Sequence, residues 1–139
     1  MANINFPTGG KIYTQHTVPV IIDAQITIGS SGAVASFAGN AVASVTHDAT
    51  GTYTLHLNQP YYAAMSVTGG AQSASGGLSG IVAIECANAP TTAISSASAP
   101  SITVYTLNSS AAKADPASGS VIQVLALVSN SSVKAGPSI

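Results

Sequence analysis

Charged residues are scarce in this chain. It carries three basic and four acidic residues among 139, about 5%, and no arginine. An ordinary soluble domain has about 25%. The three lysines, Lys11, Lys113 and Lys134, cannot neutralise a row of phosphates, which excludes a nucleic-acid-binding surface of the usual basic kind. A disordered, highly charged tail is excluded too, because hydrophobic residues make up 46% of the chain and the net charge is -1.

Cysteine and long apolar runs are also scarce. The single cysteine, Cys86, excludes an intrachain disulfide framework, and its apolar surroundings at residues 81–87 predict a buried, unreactive thiol. No run approaches the roughly 18 to 20 apolar residues that span a bilayer. The N-terminus lacks the basic start and apolar core of a secretory signal. We therefore expect folding in a reducing cytoplasm and no membrane partner.

Small residues take the place of the missing charge. Alanine, glycine, serine and threonine together account for 70 of the 139 residues. Short side chains lose little entropy when a surface is packed against another protein, whereas long ones lose much. The composition therefore favours an oligomer or a component of a larger assembly.

Alternation of apolar and polar residues predicts most of the secondary structure. In residues 20–28 the apolar side chains occupy the even positions, and Tyr53, Leu55 and Leu57 face away from Thr52 and Thr54. Residues 121–128 are apolar on both faces, as in a central strand. Such runs predict strands at residues 20–28, 33–38, 41–47, 52–57, 81–86, 101–107 and 121–128.

The segments between these runs are rich in turn-forming residues. Residues 47–51 favour a turn, residues 61–67 favour either one helical turn or an irregular strand, and residues 108–119 favour a long loop. The Gly-, Ser- and Ala-rich residues 68–80 predict a mobile loop, and residues 88–100 are similarly low in complexity.

The expected architecture is all-β: a compact β-sandwich or barrel of about seven to eight short strands with an extended N-terminal arm. Residues 1–20 form the arm, residues 21–133 a single β domain and residues 134–139 a C-terminal tail. With only two phenylalanines and no tryptophan, the core must consist of Val, Ile, Leu and Ala. Small domains of this kind often gain stability by oligomerising.

No cluster of residues indicates a reaction. His16, His47 and His56 lack the spacing of zinc ligands, and there is no Gly-x-Ser-x-Gly sequence for a hydrolytic serine. Glu85 is the only acid within an apolar run, a position more typical of a solvent-facing or interface residue than of a catalytic one. We expect no catalytic residues, no metal, no cofactor and no enzymatic activity.

Two segments together carry a resemblance. The first runs from His47 through Leu57 and ends at Tyr61; it is a turn followed by the strand Gly-Thr-Tyr-Thr-Leu. The second runs from Ser101, through the strand Thr-Val-Tyr-Thr and the Asp115-Pro116 loop, to an apolar strand and Asn-Ser-Ser, and ends at Val133. This order resembles that of the decoration (cement) proteins of tailed-bacteriophage capsids, over about the last two thirds of the chain.

The resemblance implies a non-enzymatic virion protein, made in the host cytoplasm and bound in many copies to the capsid surface. Its partners would be the major capsid protein and itself, as a dimer or trimer with the homotrimer preferred, and it would stabilise the head by bridging capsomers. We place the capsid contact in the N-terminal arm, which would lie along the capsid or add a strand to a partner's sheet edge. The candidate binding residues are Asn3, Ile4, Phe6, Lys11, Tyr13 and His16.

A second hypothesis comes from a different class of protein. The chain would be a receptor- or glycan-binding module of a tail fibre or surface appendage, and its function would lie in the loops at residues 68–80 and 88–100. The adjacent Tyr61 and Tyr62 would supply the aromatic stacking that sugar binding usually needs.

Overall fold

The described residues form a sandwich of two antiparallel sheets with four strands each. The computed structural model describes residues 19–61, 63–74, 76–87 and 100–129. The strands are β1 (Pro19–Ile28), β2 (Val34–Gly39), β3 (Val42–Ala49), β4 (Thr52–Leu57), β5 (Ala63–Gln72), β6 (Ala83–Cys86), β7 (Ser101–Leu107) and β8 (Val121–Ser129). Within the described residues the only helical element is a 3-10 turn at Ser30–Gly32. The all-β prediction is confirmed, in its sandwich form.

The first sheet has the strand order β2-β1-β8-β5, so the first and last strands are neighbours. Pro19 pairs with Ser129 and Thr27 with Val121, in an unbroken antiparallel register. The apolar run at residues 121–128 is indeed a central strand, since β1 and β5 flank it on either side.

The second sheet has the order β3-β4-β7-β6. In β4 the predicted alternation is confirmed, because Tyr53, Leu55 and Leu57 point into the core. In β7 the inward positions are Ile102, Val104 and Thr106.

One hydrophobic core fills the space between the sheets, and it consists almost entirely of aliphatic residues. Each fully buried Ile, Leu or Val side chain contributes about 1.5–3 kcal/mol. The buried apolar residues are Ile22, Ala24, Ile26, Ile28, Val42, Val45, Tyr53, Leu55, Leu57, Tyr61, Ile102, Val104, Ile122, Val124, Ala126 and Val128.

The mobile loop predicted at residues 68–80 is wrong over its first part. Residues 63–72 form β5, which pairs with β8 along its length. At Gly69 the neighbouring strand comes close, because a Cβ there would lie 2.3 Å from the carbonyl oxygen of Gln123. The strand forms through backbone pairing with β8, and few large apolar side chains indicate it in the sequence.

Three smaller predictions also need correction. The turn predicted at residues 47–51 is shorter, because β3 continues through Ala49 with a register shift between His47 and Ala49. β6 begins only at Ala83, since Val82 precedes the ladder and is exposed. Cys86 is half-buried at the margin of the core, not fully buried.

Candidate functional site

Asp115 is the centre of a cluster that joins three connections of the sandwich. Its Oδ1 atom lies 2.9 Å from His47 Nε2 and accepts a 2.7 Å hydrogen bond from the Gly51 backbone N–H. The carboxylate also packs against Gly32, where a Cβ would lie only 2.4 Å from Asp115 Cγ. The β7–β8 connection is thereby tied to the β3–β4 turn and to the 3-10 turn.

Tyr53 lies beneath this cluster and completes it. The His47 ring stacks on the Tyr53 ring, with centroids 4.9 Å apart, and the Tyr53 hydroxyl donates a 2.9 Å hydrogen bond to the Gly32 carbonyl. Burial raises the pKa of Tyr53 well above its usual range, and the negative charge of Asp115 raises it further. Tyr53 therefore remains a hydrogen-bond donor while the protein is folded.

The contacts of this cluster point to a structural role. Asp115 Oδ1 accepts from two groups of the protein, and the Tyr53 hydroxyl is fully buried against a backbone carbonyl.

A polar network covers the outer face of the second sheet. Asp48 accepts hydrogen bonds from the hydroxyls of Thr46 (2.8 Å) and Thr54 (2.5 Å), while Thr46 Oγ1 lies 3.1 Å from His56 Nε2. Thr54 Oγ1 is also 2.8 Å from the hydroxyl of Thr103 on the next strand. The Thr54 hydrogen bond, with help from Thr46 and the nearby histidines, lowers the pKa of Asp48. Both carboxylate oxygens are engaged within the protein.

The outer face of the first sheet has the opposite character. Ile21 and Leu125 remain 58% and 48% exposed, and Leu127 lies beside them because it pairs with Ile21 across β1 and β8. These three residues, which we call the apolar patch, line a shallow groove of about 220 Å³ together with Ser66 and Thr68. Asp23 supplies the only charge among the described outward-facing residues of this sheet.

The residues predicted to contact a partner fall outside the described part of the chain. These are Asn3, Ile4, Phe6, Lys11, Tyr13 and His16. Tyr62 and residues 88–99 also lie outside it. Tyr61 is described and is only 3% exposed, with its hydroxyl accepting from Gln59 Nε2 at 3.0 Å, so its ring is not available for stacking.

Sequence reasoning missed both the Asp115 cluster and the apolar patch. The patch had a signal: Ile21 is an isoleucine on the otherwise polar, odd-numbered face of β1. The cluster had only a turn signal at Asp115-Pro116, since His47 and Asp115 are 68 residues apart and nothing local links them.

Several classes of site find no support in the part of the chain that the structure describes. It contains no group of three or more His, Cys, Asp or Glu side chains placed to hold a metal ion. It also contains no helix long and apolar enough to cross a membrane. Comparison with protein-family models, with curated proteins and with solved structures found no match for the chain.

Proposed function

We propose that the chain is a capsid decoration protein of a tailed phage, a non-enzymatic homo-oligomer that binds the outside of the head and bridges capsomers. The observation that carries the proposal is the apolar patch of Ile21, Leu125 and Leu127 on an outer sheet face whose described residues carry one charge, that of Asp23. Exposed apolar side chains grouped on one face mark protein contacts more often than isolated ones do.

The position of the patch supports a joint role with the N-terminal arm. β1 begins at Pro19, so Ile21 lies two residues beyond the point where residues 1–18 join the sandwich. The arm and the patch would therefore form one continuous contact with the capsid protein. The arm would supply extended backbone, and the patch would supply apolar area worth about 1.5–3 kcal/mol for each side chain that becomes fully buried.

The opposite face suits exposure to solvent. Its threonines, Asp48 and His56 satisfy one another's hydrogen bonds, and the Lys113 ammonium lies 4.0 Å above the Tyr105 ring. A face of this kind gains little from burial against another protein, because its polar groups would lose water without gaining partners. We therefore orient the first sheet toward the capsid and the second sheet away from it.

The test is co-sedimentation with empty capsids of the phage that encodes the chain. Ile21→Lys and Leu125→Lys place a charge in the patch without touching the core, and we expect each to weaken binding at least tenfold. Ser44→Lys, an exposed position on the second sheet, is the matched control and is expected to bind like the wild type. Equal binding by all four proteins would overturn the assignment of the patch.

The arm is tested by removing residues 2–18 and no more. Pro19 and Val20 pair with Ser129 and Val128, so a longer deletion would cut into β1. The truncated protein should keep its β-sheet circular dichroism and lose capsid binding. Full binding by a folded truncated protein would remove the arm from the mechanism.

A receptor- or glycan-binding module is the second candidate. A groove of about 450 Å³ favours it, lined by the C-terminal end of β5, Ser109 and the β5–β6 connection that carries Leu78 and Val82. The described tyrosines do not favour it: Tyr53 and Tyr61 are buried, and Lys113 covers one face of Tyr105. Binding to host cells or a glycan array, without binding to capsids, would select this candidate.

A further inference from the structure

The edge formed by β5 is the longest regular sheet edge left without a partner among the described strands. β8 is its only neighbour in the sheet, and the register between them is unbroken from Ser66 to Gln72. Half of the backbone N–H and C=O groups of an edge strand point away from the sheet, so such a strand is a template for another strand.

The other three edges are shorter or interrupted. β6 has four residues and carries the exposed Glu85, while β3 has two register shifts and carries Asp48. β2 keeps a regular register for only four residues, from Ser36 to Gly39. β5 contains no charged residue and no proline, the two devices that usually prevent edge-to-edge pairing.

Two exposed apolar side chains flank this edge. Leu78 is 93% exposed and Val82 is 68% exposed, the highest values for large apolar residues in the described chain. Both line the groove that also contains Ala71 and Gln72 at the C-terminal end of β5. An apolar flank beside unpaired backbone is the combination that a strand-mediated protein contact buries.

We propose that β5 pairs antiparallel with β5 of a second copy of this chain, about a twofold axis. The two first sheets then form one continuous eight-stranded sheet. A second copy fits because the edge is uncharged and therefore does not repel itself, and because an antiparallel strand pair is its own twofold mate. The same symmetry brings the Leu78 connection of each copy to the N-terminal half of the other copy's β5.

This contact makes the free protein a dimer in place of the homotrimer expected from the resemblance. Twofold pairing of one edge uses that edge up, so it closes at two copies and leaves none for a third. The inference concerns the purified chain and stands whether or not the protein binds capsids, so the two proposals fail separately.

The experiment is native mass by sedimentation equilibrium, from about 1 to 100 µM protein. The wild type is expected at twice its chain mass of 13.6 kDa. Thr68→Lys puts a charge at the middle of β5, on an exposed side chain, and brings two like charges close together across the twofold pair. We expect this variant to dimerise at least tenfold more weakly, with an unchanged circular dichroism spectrum.

Ser36→Lys is the matched control, since it places the same charge on β2, at the other edge of the same sheet. It should dimerise like the wild type. Amide hydrogen exchange gives a second readout: the β5 amides should become more protected as the concentration rises, and the β2 amides should not. A monomer at 100 µM, a trimer, or an undiminished Thr68→Lys dimer would each overturn the proposal.

Discussion

A single carboxylate, that of Asp115, holds three connections of the sandwich together. One of its oxygens receives both the Gly51 N–H and the His47 ring, and its Cγ fills the space that a side chain at Gly32 would need. Gly51 and Gly32 have positive φ angles of 61° and 76°, which residues with a Cβ rarely adopt. A Cβ at either position would also clash with neighbouring atoms.

Asp115→Ala removes this carboxylate and leaves the Gly51 N–H buried without an acceptor. Loss of a hydrogen bond to a charged group costs about 1.5–3 kcal/mol, and we expect a fall of that size in the free energy of unfolding, measured in urea. Asp23→Ala removes an exposed acid and should change stability by less than about 0.5 kcal/mol. Equal effects of the two substitutions would contradict the role given to Asp115.

Tyr53 predicts a pH dependence at the alkaline end. Its pKa is raised in the folded state above the 10.0 of an unperturbed tyrosine, so the unfolded chain loses that proton first. Its contribution to stability is therefore complete below about pH 10 and falls above it, by up to about 1.4 kcal/mol for each pH unit.

Tyr53→Phe isolates this contribution. The variant should be about 1 kcal/mol less stable at pH 7, because the Gly32 carbonyl loses its donor. Between pH 10 and 11 the difference between the two proteins should shrink, since phenylalanine has no proton to lose. Parallel curves of unfolding free energy against pH would show that Tyr53 is not the group responsible.

At the scale of single residues, the sequence predicts burial better than it predicts contacts. The alternation in β4 was enough to place Tyr53 in the core, because a strand has a period of two. It carried no information on the partner of its hydroxyl, Gly32, or on the pairing of His47 with Asp115. Those contacts depend on how the connections fold back across the sheets.

Among the elements, the strands rich in large apolar residues were predictable, whereas β5 was predicted only in part. Residues 61–67 allowed an irregular strand, which residues 63–67 form with a register shift between Ala64 and Ser66, but residues 68–72 favoured a loop. β1, β4 and β7 place Ile, Val, Leu or Tyr at alternate positions, and β8 is apolar on both faces; both patterns predict strands. β5 has Gly69 and Gly70 at its middle, which argue for a loop by composition. Pairing with β8 overrides that local preference, as tertiary context often does for strands.

Gly69 and Gly70 provide a matched pair of positions for testing how closely β5 approaches β8. Gly69→Ala puts a Cβ 2.3 Å from the Gln123 carbonyl oxygen and should destabilise the protein by about 1–3 kcal/mol. Gly70→Ala has nothing within 4 Å and should be neutral or slightly stabilising. Thermal unfolding of both variants distinguishes them, and a neutral Gly69→Ala would contradict the close approach of β5 to β8.

For the molecule as a whole, the two outer sheet faces differ in their surface chemistry. The second sheet presents threonines, Asp48 and His56 that bond to one another, while the first presents the apolar patch with little charge around it. The all-β class, as a sandwich or a barrel, was predictable from short alternating runs. The difference between its faces was not, because it depends on which strands become neighbours.

The neighbouring positions of β1 and β8 predict that the domain tolerates circular permutation. A short Asn-Gly linker from Ser129 to Pro19, with new ends between Gly76 and Gly77 in an exposed connection, should give a cooperatively unfolding sandwich. New ends between Val124 and Leu125 would divide the central strand and should prevent folding. Circular dichroism and urea unfolding compare the two, and equal behaviour would contradict the strand order.

The pairing of Pro19 with Ser129 also fixes how the domain responds to force. Hydrogen bonds between antiparallel strands run across the strands, so a pull that separates these two ends opens the β1–β8 ladder one bond after another. A force applied between Pro19 and the far side of the sandwich instead acts along β1. It loads the hydrogen bonds of β1 to β2 and to β8 at the same time. A load applied between Pro19 and the far side of the sandwich therefore acts in the mechanically stronger direction.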